Sequence, residues 1–341
     1  MRTPKAGEIM TQVNLKTALA VASAVMALAG GGGASASSLT PIASFADPAG
    51  GSTGVLGINN SGAMTGSIGY ADGSGVGFVR SASGVYTTFS DGGAFFTQGR
   101  AIGNNGTIRG FSWDSTQNLT TANEFQRSSG GVVTTITNPA TGLPLHGIAQ
   151  GMNDSGAAVG DYYTLVSGHL RRHGYILGGG TLTDLHPPGA PLLTMEARAI
   201  TDTGTVVGFG NNGGVIEGFI LAGGVYNWFA DPSAVGGSTH FEDINSHGLI
   251  SGEYVDASGF AHAFVFNSST DFFTNIDVPG AANSQAFGLN DWGQVVITSD
   301  LATGPNNFIY NAVPEPATWA MMLLGVFSLG GALRRRRVLA A

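Results

Sequence analysis

A five-residue pattern recurs six times along this chain: an apolar residue, two small polar residues, any residue, then glycine. It reads Ile58-Asn59-Asn60-Ser61-Gly62, Ile102-Gly103-Asn104-Asn105-Gly106, Met152-Asn153-Asp154-Ser155-Gly156, Ile200-Thr201-Asp202-Thr203-Gly204, Ile244-Asn245-Ser246-His247-Gly248 and Leu289-Asn290-Asp291-Trp292-Gly293. The glycines stand 44, 50, 48, 44 and 45 residues apart. A near-constant period of this length marks repeated supersecondary units. Asn and Asp bond their own backbone and tolerate left-handed dihedrals, and Gly takes positive φ freely. Each copy is therefore a tight turn between antiparallel strands.

Around each turn the same succession of strands is expected. In the first unit Val55 to Ile58 enters the turn and Ala63 to Ile68 leaves it. Gly77 to Arg80 is a third strand, and Val85 to Phe89 a fourth. The third strands carry an aromatic residue at Phe78, Phe125, Tyr175, Phe219, Phe264 and Phe308. A second glycine follows the turn glycine by four in five units, at Gly66, Gly110, Gly160, Gly208 and Gly252. Inside a strand it implies close backbone approach. The sixth unit has Ile297 there and no fourth strand before Val313-Pro314. The missing strand is expected at the other end, over Pro41 to Phe45, because Phe45-Ala46-Asp47-Pro48 repeats Phe229-Ala230-Asp231-Pro232. Pairing it onto the last unit would remove open sheet edges. The expectation is an all-β fold over 38–312: a six-bladed β-propeller of four-stranded antiparallel blades, closed by its N-terminal strand.

The chain has 14 Lys+Arg, 22 Asp+Glu and no cysteine, which excludes disulfides and thiolate metal sites. Arg2, Lys5, Lys16 and Arg334 to Arg337 account for seven of the bases, while only Glu8 and Glu315 of the acids lie in the termini. The span 37–312 therefore has 7 bases and 20 acids, net −13, and no lysine. Such a surface repels nucleic acid and anionic lipid.

Both termini read as targeting segments. Lys16 precedes the apolar run Thr17 to Ala29, and Ala34-Ser35-Ala36 supplies small residues for cleavage. Residues 1–36 are thus a helical secretory signal peptide, with Met10 a second candidate start. At the other end Pro314-Glu315-Pro316 precedes 17 uncharged residues, Ala317 to Leu333, and then Arg334, Arg335, Arg336 and Arg337. A helix of that length spans about 26 Å, close to a hydrocarbon layer. The arginines hold its end in the cytoplasm, with the repeats outside.

This tail, 313–341, resembles the PEP-CTERM sorting signal of Gram-negative bacteria. The resemblance implies recognition by an exosortase-type processing enzyme, a transient inner-membrane stage and delivery to the cell surface or matrix, in bacteria that make exopolysaccharide and biofilm. The repeats resemble the extracellular HAF family, named for a His-Ala-Phe triplet. It stands intact as His262-Ala263-Phe264 and nearly so as His173-Gly174-Tyr175. That family implies an architecture and no particular chemistry.

No catalytic, metal or cofactor motif stands out. Gly50-Gly51-Ser52-Thr53-Gly54 fits G-x-S-x-G, but a loop leads into it and a strand follows, where a nucleophile elbow needs strand then helix. His169 and His173 lie at zinc-helix spacing, but between strands. The adjacent acids Glu242-Asp243 suggest glycosidase chemistry only weakly. Asp72-Gly73-Ser74-Gly75 reads as a turn rather than a calcium loop. The longest variable loops, Ser112 to Asn123 and Tyr162 to Arg172, carry Trp113, Tyr162, Tyr163, Arg171 and Arg172, which are the candidate ligand contacts for an extracellular polysaccharide. The expected function is non-enzymatic binding or matrix structure; the alternative is a polysaccharide-active hydrolase or lyase.

Overall fold

The computed structural model describes residues 39–42, 51–115, 121–166, 169–186, 195–236, 238–303 and 305–312. The signal segment 1–36 and the tail 313–341, including the Pro314-Glu315-Pro316 motif and the four arginines, lie outside the described residues.

Every element among the described residues is a strand. Each of the six units opens with a first strand: Ser52–Ile58, Phe96–Ile102, Gly147–Met152, Met195–Ile200, Thr239–Ile244 and Ser284–Leu289. In the first five units three antiparallel partners follow in order, and in the sixth two do; units three to six form separate four-stranded sheets. Units one and two merge into one sheet through a single parallel bridge, Gly75 to Phe96. The sixth sheet takes its fourth strand from the N-terminal side. Leu39–Pro41 lies antiparallel to Asn307–Asn311, with Leu39 opposite Tyr310 and Pro41 opposite Phe308. Ile42 N–H extends the ladder to the Asn307 carbonyl at 2.8 Å. The strand thus lies two residues earlier than the Pro41 to Phe45 reading, and 43–50 are outside the described residues. Pro41 is tolerated because this is an edge strand.

The turns behave as their composition dictates. Gly62, Gly106, Gly156, Gly204, Gly248 and Gly293 all have φ between 74° and 87°, where a side chain would be strained. The in-strand glycines have a different cause. A Cβ on Gly66, Gly110, Gly160, Gly208 or Gly252 would collide with the carbonyl of Gly54, Gln98, Ile148, Glu196 or His240 on the first strand of its own unit. The third-strand aromatic closes the other side, at Phe78, Phe125, Tyr175, Phe219 and Phe264. All five rings are fully buried.

The core lies between successive units. Val159 of unit three packs with Leu185, Met195, Val206 and Phe219 at the junction with unit four. Ile42 and Val296 pack with Val55, Met64, Ile68 and Phe78, which joins unit six and the N-terminal strand to unit one.

Candidate functional site

Among the described residues, side-chain bonds link each turn to the next, except between the fourth and the fifth. Asn59, Asn153, Asn245 and Asn290 occupy the same turn position, and each side chain works in two directions. Asn59 Oδ1 accepts the N–H groups of Ser61 and Ala63, fixing its own turn at 3.1 and 3.0 Å. Its Nδ2 donates to the Gly103 carbonyl of the next turn at 3.0 Å. Asn153 reaches Thr201, Asn245 reaches Asn290, and Asn290 reaches back to Asn59, at 3.0, 3.1 and 3.1 Å. One residue on, a second set of bonds runs from backbone N–H to the next side chain. Asn60 donates to Asn104, Asn104 to Asp154, Asp154 to Asp202, Ser246 to Asp291 and Asp291 to Asn60, all within 3.1 Å. Burial raises the Asp291 carboxyl, but bonds from Ser246 and Asn60 outweigh it and hold it below its usual range.

A cavity of about 140 Å³ lies between the turns, lined by five consecutive residues from each unit. The first residue of each quintet is Leu56, Arg100, Gln150, Arg198, Glu242 or Phe287, six before its turn glycine. In each unit the first strand slips register at this place, as at Val55/Gly57 and Phe241/Asp243. The bulge turns one side chain per unit toward the cavity. The next residue is small in five units: Gly57, Ala101, Gly151, Ala199 and Gly288. A Cβ on Gly57, Gly151 or Gly288 would press the backbone of the neighbouring first strand. In the fifth unit Asp243 stands there, and its carboxylate accepts Leu289 N–H of the next unit and Ile244 N–H, both at 2.8 Å. Burial raises its pKa to about 7, against the pull of those two bonds.

Polar side chains of units two to five close into a ring. Arg100 Nε donates to Gln150 Oε1 at 2.8 Å, and Gln150 Nε2 to Asp161 Oδ1 at 3.0 Å. Asp161 pairs with Arg172 at 3.2 Å, and Arg172 with Glu196. Glu196 meets Arg198 at 3.6 Å, Arg198 meets Glu242 at 2.7 Å, and Glu242 returns to Arg100 at 4.0 Å. Three arginines face three carboxylates, Asp161, Glu196 and Glu242, so the ring is neutral as a unit. Burial pushes the carboxyls of Asp161 and Glu242 up, while Arg172 and Arg198 respectively pull them down. Burial, then the Arg198 charge, lowers Arg100 to about 10. It stays protonated at neutral pH. The result is a fixed polar socket of alternating charges.

Among the expected ligand contacts, Arg172 belongs to this ring and Tyr163 is attached to it. Arg172 Nε donates to Tyr163 OH at 2.8 Å, and the guanidinium lies over the tyrosine ring. The stretch Tyr162 to Arg172 corrects the loop reading. It belongs to a long hairpin, Ala158–Val166 with His169–Gly178, in which Tyr163 faces Arg172 and Thr164 faces Arg171. The side chain of Arg171 lies outside those described. Tyr162 stacks on His173 and donates to Asp184 Oδ1 at 2.7 Å; burial and Asp184 raise its pKa beyond the usual tyrosine range. Trp113 ends a strand of unit two, Ile108–Trp113, and stacks on Phe96. Its ring neighbours among the described residues are Phe96 and Phe111, both of unit two, and none belongs to the hairpin.

The remaining candidate motifs resolve locally. Ser52 opens a strand. Asp72 Oδ1 accepts Ser74 N–H at 2.9 Å, which makes an Asx turn. His173 Nε2 pairs with Thr164 Oγ1 at 2.7 Å across the hairpin. His262 of the His-Ala-Phe triplet bonds Asp277 at 2.8 Å, and its other nitrogen lies 3.4 Å from Asp256. Of the bulge residues, sequence reasoning singled out Glu242 alone, as half of a weak acid pair, and missed the set. The available signal was their constant offset of six from the turn glycines.

Together with this geometry, comparison with known proteins defines a class. TolB from Acinetobacter baumannii is similar at a TM-score of 0.50 and 11% identity, covering 73% of this chain and 63% of that one. The chain thus spans less than two thirds of that TolB. A TolB from Agrobacterium tumefaciens aligns at 0.49 and 11% identity, covering 76% and 90%. A variant of Aleuria aurantia lectin in complex with Fucα1-6GlcNAc aligns at 0.47 and 14%, covering 77% and 96%. The fold is β-propeller-like and all-β. Residues 312–337 match the PEP-CTERM protein-sorting motif, which implies export, a C-terminal sorting step and processing by an exosortase. No curated protein matches the chain.

Proposed function

We propose that the described region is a closed six-bladed β-propeller, released at the cell surface or into the matrix, that binds polysaccharide through the face carrying the six turns. Pairing of the N-terminal strand with unit six and the return bonds from Asn290 and Asp291 to unit one support the closure. The observation that carries the ligand reading is Trp292. It stands in the sixth turn, 66% exposed, next in sequence to Asp291, which with Asn60 lines the mouth of the cavity. Its Nε1 donates to the Asn60 carbonyl at 2.9 Å, so the ring is tethered across the junction of units six and one. A tethered aromatic face beside polar side chains suits a sugar ring, and little ordering cost remains on binding. The hairpin carrying Tyr162, Tyr163 and Arg172 is the second surface able to take a glycan, and Trp113 lies apart from it on unit two. The hairpin's rings are already stacked within the protein.

The test is titration of the full chain with the exopolysaccharide of the producing bacterium. Trp292→Ala is expected to weaken binding at least tenfold and Trp292→Phe less. A Trp113→Ala, Tyr163→Ala variant is expected to bind as the native chain does. Loss in the latter alone would move the site to the hairpin, and no binding at all would reject the reading. Release of new sugar ends in the same mixtures would make the chain a hydrolase or lyase instead.

A further inference from the structure

Beside the neutral ring stands one carboxylate that the ring does not balance. We propose that His240, Glu242 and Glu253 bind a single divalent cation of the zinc or manganese kind. One nitrogen or oxygen from each lies within 4.8 Å of the other two. The strands impose this. His240 and Glu253 are directly opposed in the antiparallel pair of Thr239–Ile244 with Leu249–Val255, and the bulge turns Glu242 toward the same place. His240 Nδ1 lies 3.3 Å from Glu253 Oε1. Phe209 stacks on the imidazole at a centroid distance of 4.0 Å, which fixes its plane.

The second observation concerns Glu253 alone. The residue is 8% exposed, and its Oε2 is buried without a hydrogen-bond partner. An unmatched buried carboxylate oxygen is costly, and a cation answers that cost. Glu242 is prepared as a ligand. Arg198 holds its Oε1 at 2.7 Å, while among the described residues Oε2 faces Arg100 at 4.0 Å. Orientation of a ligating carboxylate by a hydrogen-bonded neighbour is the usual support of a metal ligand. One imidazole and two carboxylates suit zinc or manganese better than calcium, which takes oxygens alone. Glu242 also lines the cavity, so a further coordination position would face it. This inference stands independently of the polysaccharide reading.

The full chain, solubilised in detergent, carrying no polyhistidine tag and stripped with chelator, should be titrated with ZnCl2 and MnCl2 by calorimetry. One ion per chain is expected, with affinity lowered at least tenfold in Glu253→Gln and in His240→Gln. His247→Ala, which alters a histidine outside the cluster, should bind as native. A folding readout separates ligation from damage. Without metal, Glu253→Gln should melt at or above the native temperature, because the unpaired carboxylate is gone. Added metal should raise the native melting temperature and leave both variants unmoved. Equal binding by native chain and Glu253→Gln, or neither heat nor melting shift with either ion, would overturn the proposal.

Discussion

The side-chain nitrogen of Asn290 donates to the backbone carbonyl of Asn59 at 3.1 Å, across 231 residues of chain. The same amide also donates to Gln294 Oε1 at 2.9 Å, and its Oδ1 accepts two N–H groups of its own turn. Asn290→Ala removes all of these at a buried position. It should cost about 2 kcal/mol, read as a lowered urea midpoint. Asn59→Ala should cost a similar amount. The double variant should cost close to the sum, because Asn290 bonds the backbone carbonyl of Asn59, which alanine keeps.

Two glycines twelve residues apart should respond oppositely to the same change. Gly66→Ala drives a methyl into the Gly54 carbonyl and the Phe78 ring, and should cost about 3 kcal/mol. Gly54→Ala meets open space, and by restricting the unfolded chain should be neutral or stabilise by about 0.5 kcal/mol. Thermal melts of the pair check this.

Glu124 gives the fold a pH dependence. It is fully buried, and Tyr175 OH donates to its Oε2. Burial raises its pKa to about 8, with the Tyr175 bond opposing. The unfolded carboxyl loses its proton near 4.5, so between that pH and 8 the folded chain holds the extra proton. The stabilisation is whole below pH 4.5 and is lost progressively as pH rises through that window, by about 3 kcal/mol at neutrality. Glu124→Gln should flatten this slope in urea melts taken from pH 5 to 8.

The charge ring should behave as one unit. Arg198→Met leaves Glu196 and Glu242 short of a cation and should destabilise by about 4 kcal/mol. Adding Glu242→Met should recover part of that loss, since a partnerless buried carboxylate is then removed. A double-mutant cycle by chemical denaturation measures the coupling.

Much of the architecture was written in turn chemistry. Asn59 and Gly62 in successive copies announce the units, and Phe78 with Gly66 announces how second and third strands pack. That a strand is borrowed from the N-terminal side was legible, because Phe45 to Pro48 copies Phe229 to Pro232, but its place was not: it runs over Leu39–Pro41, ahead of the Pro41 to Phe45 reading. The socket was harder to see. Arg100, Gln150, Arg198 and Glu242 differ in type, and side chains turned inward by a bulge break the period-two pattern by which strand faces are read. Arg172 was found for another reason: it lies in a long insertion, which the sequence invites one to read as a loop and which is in fact paired strand.

The bulge has one more implication. Because each repeat projects a single side chain inward from a place where the ladder is already interrupted, that side chain can be exchanged without rewriting the sheet around it. Leu56 and Phe287 stand at this position beside charged and amide counterparts in the other units. Six addresses, one per repeat, let a single scaffold carry many different interiors, and a descendant protein could change what it holds while keeping every strand.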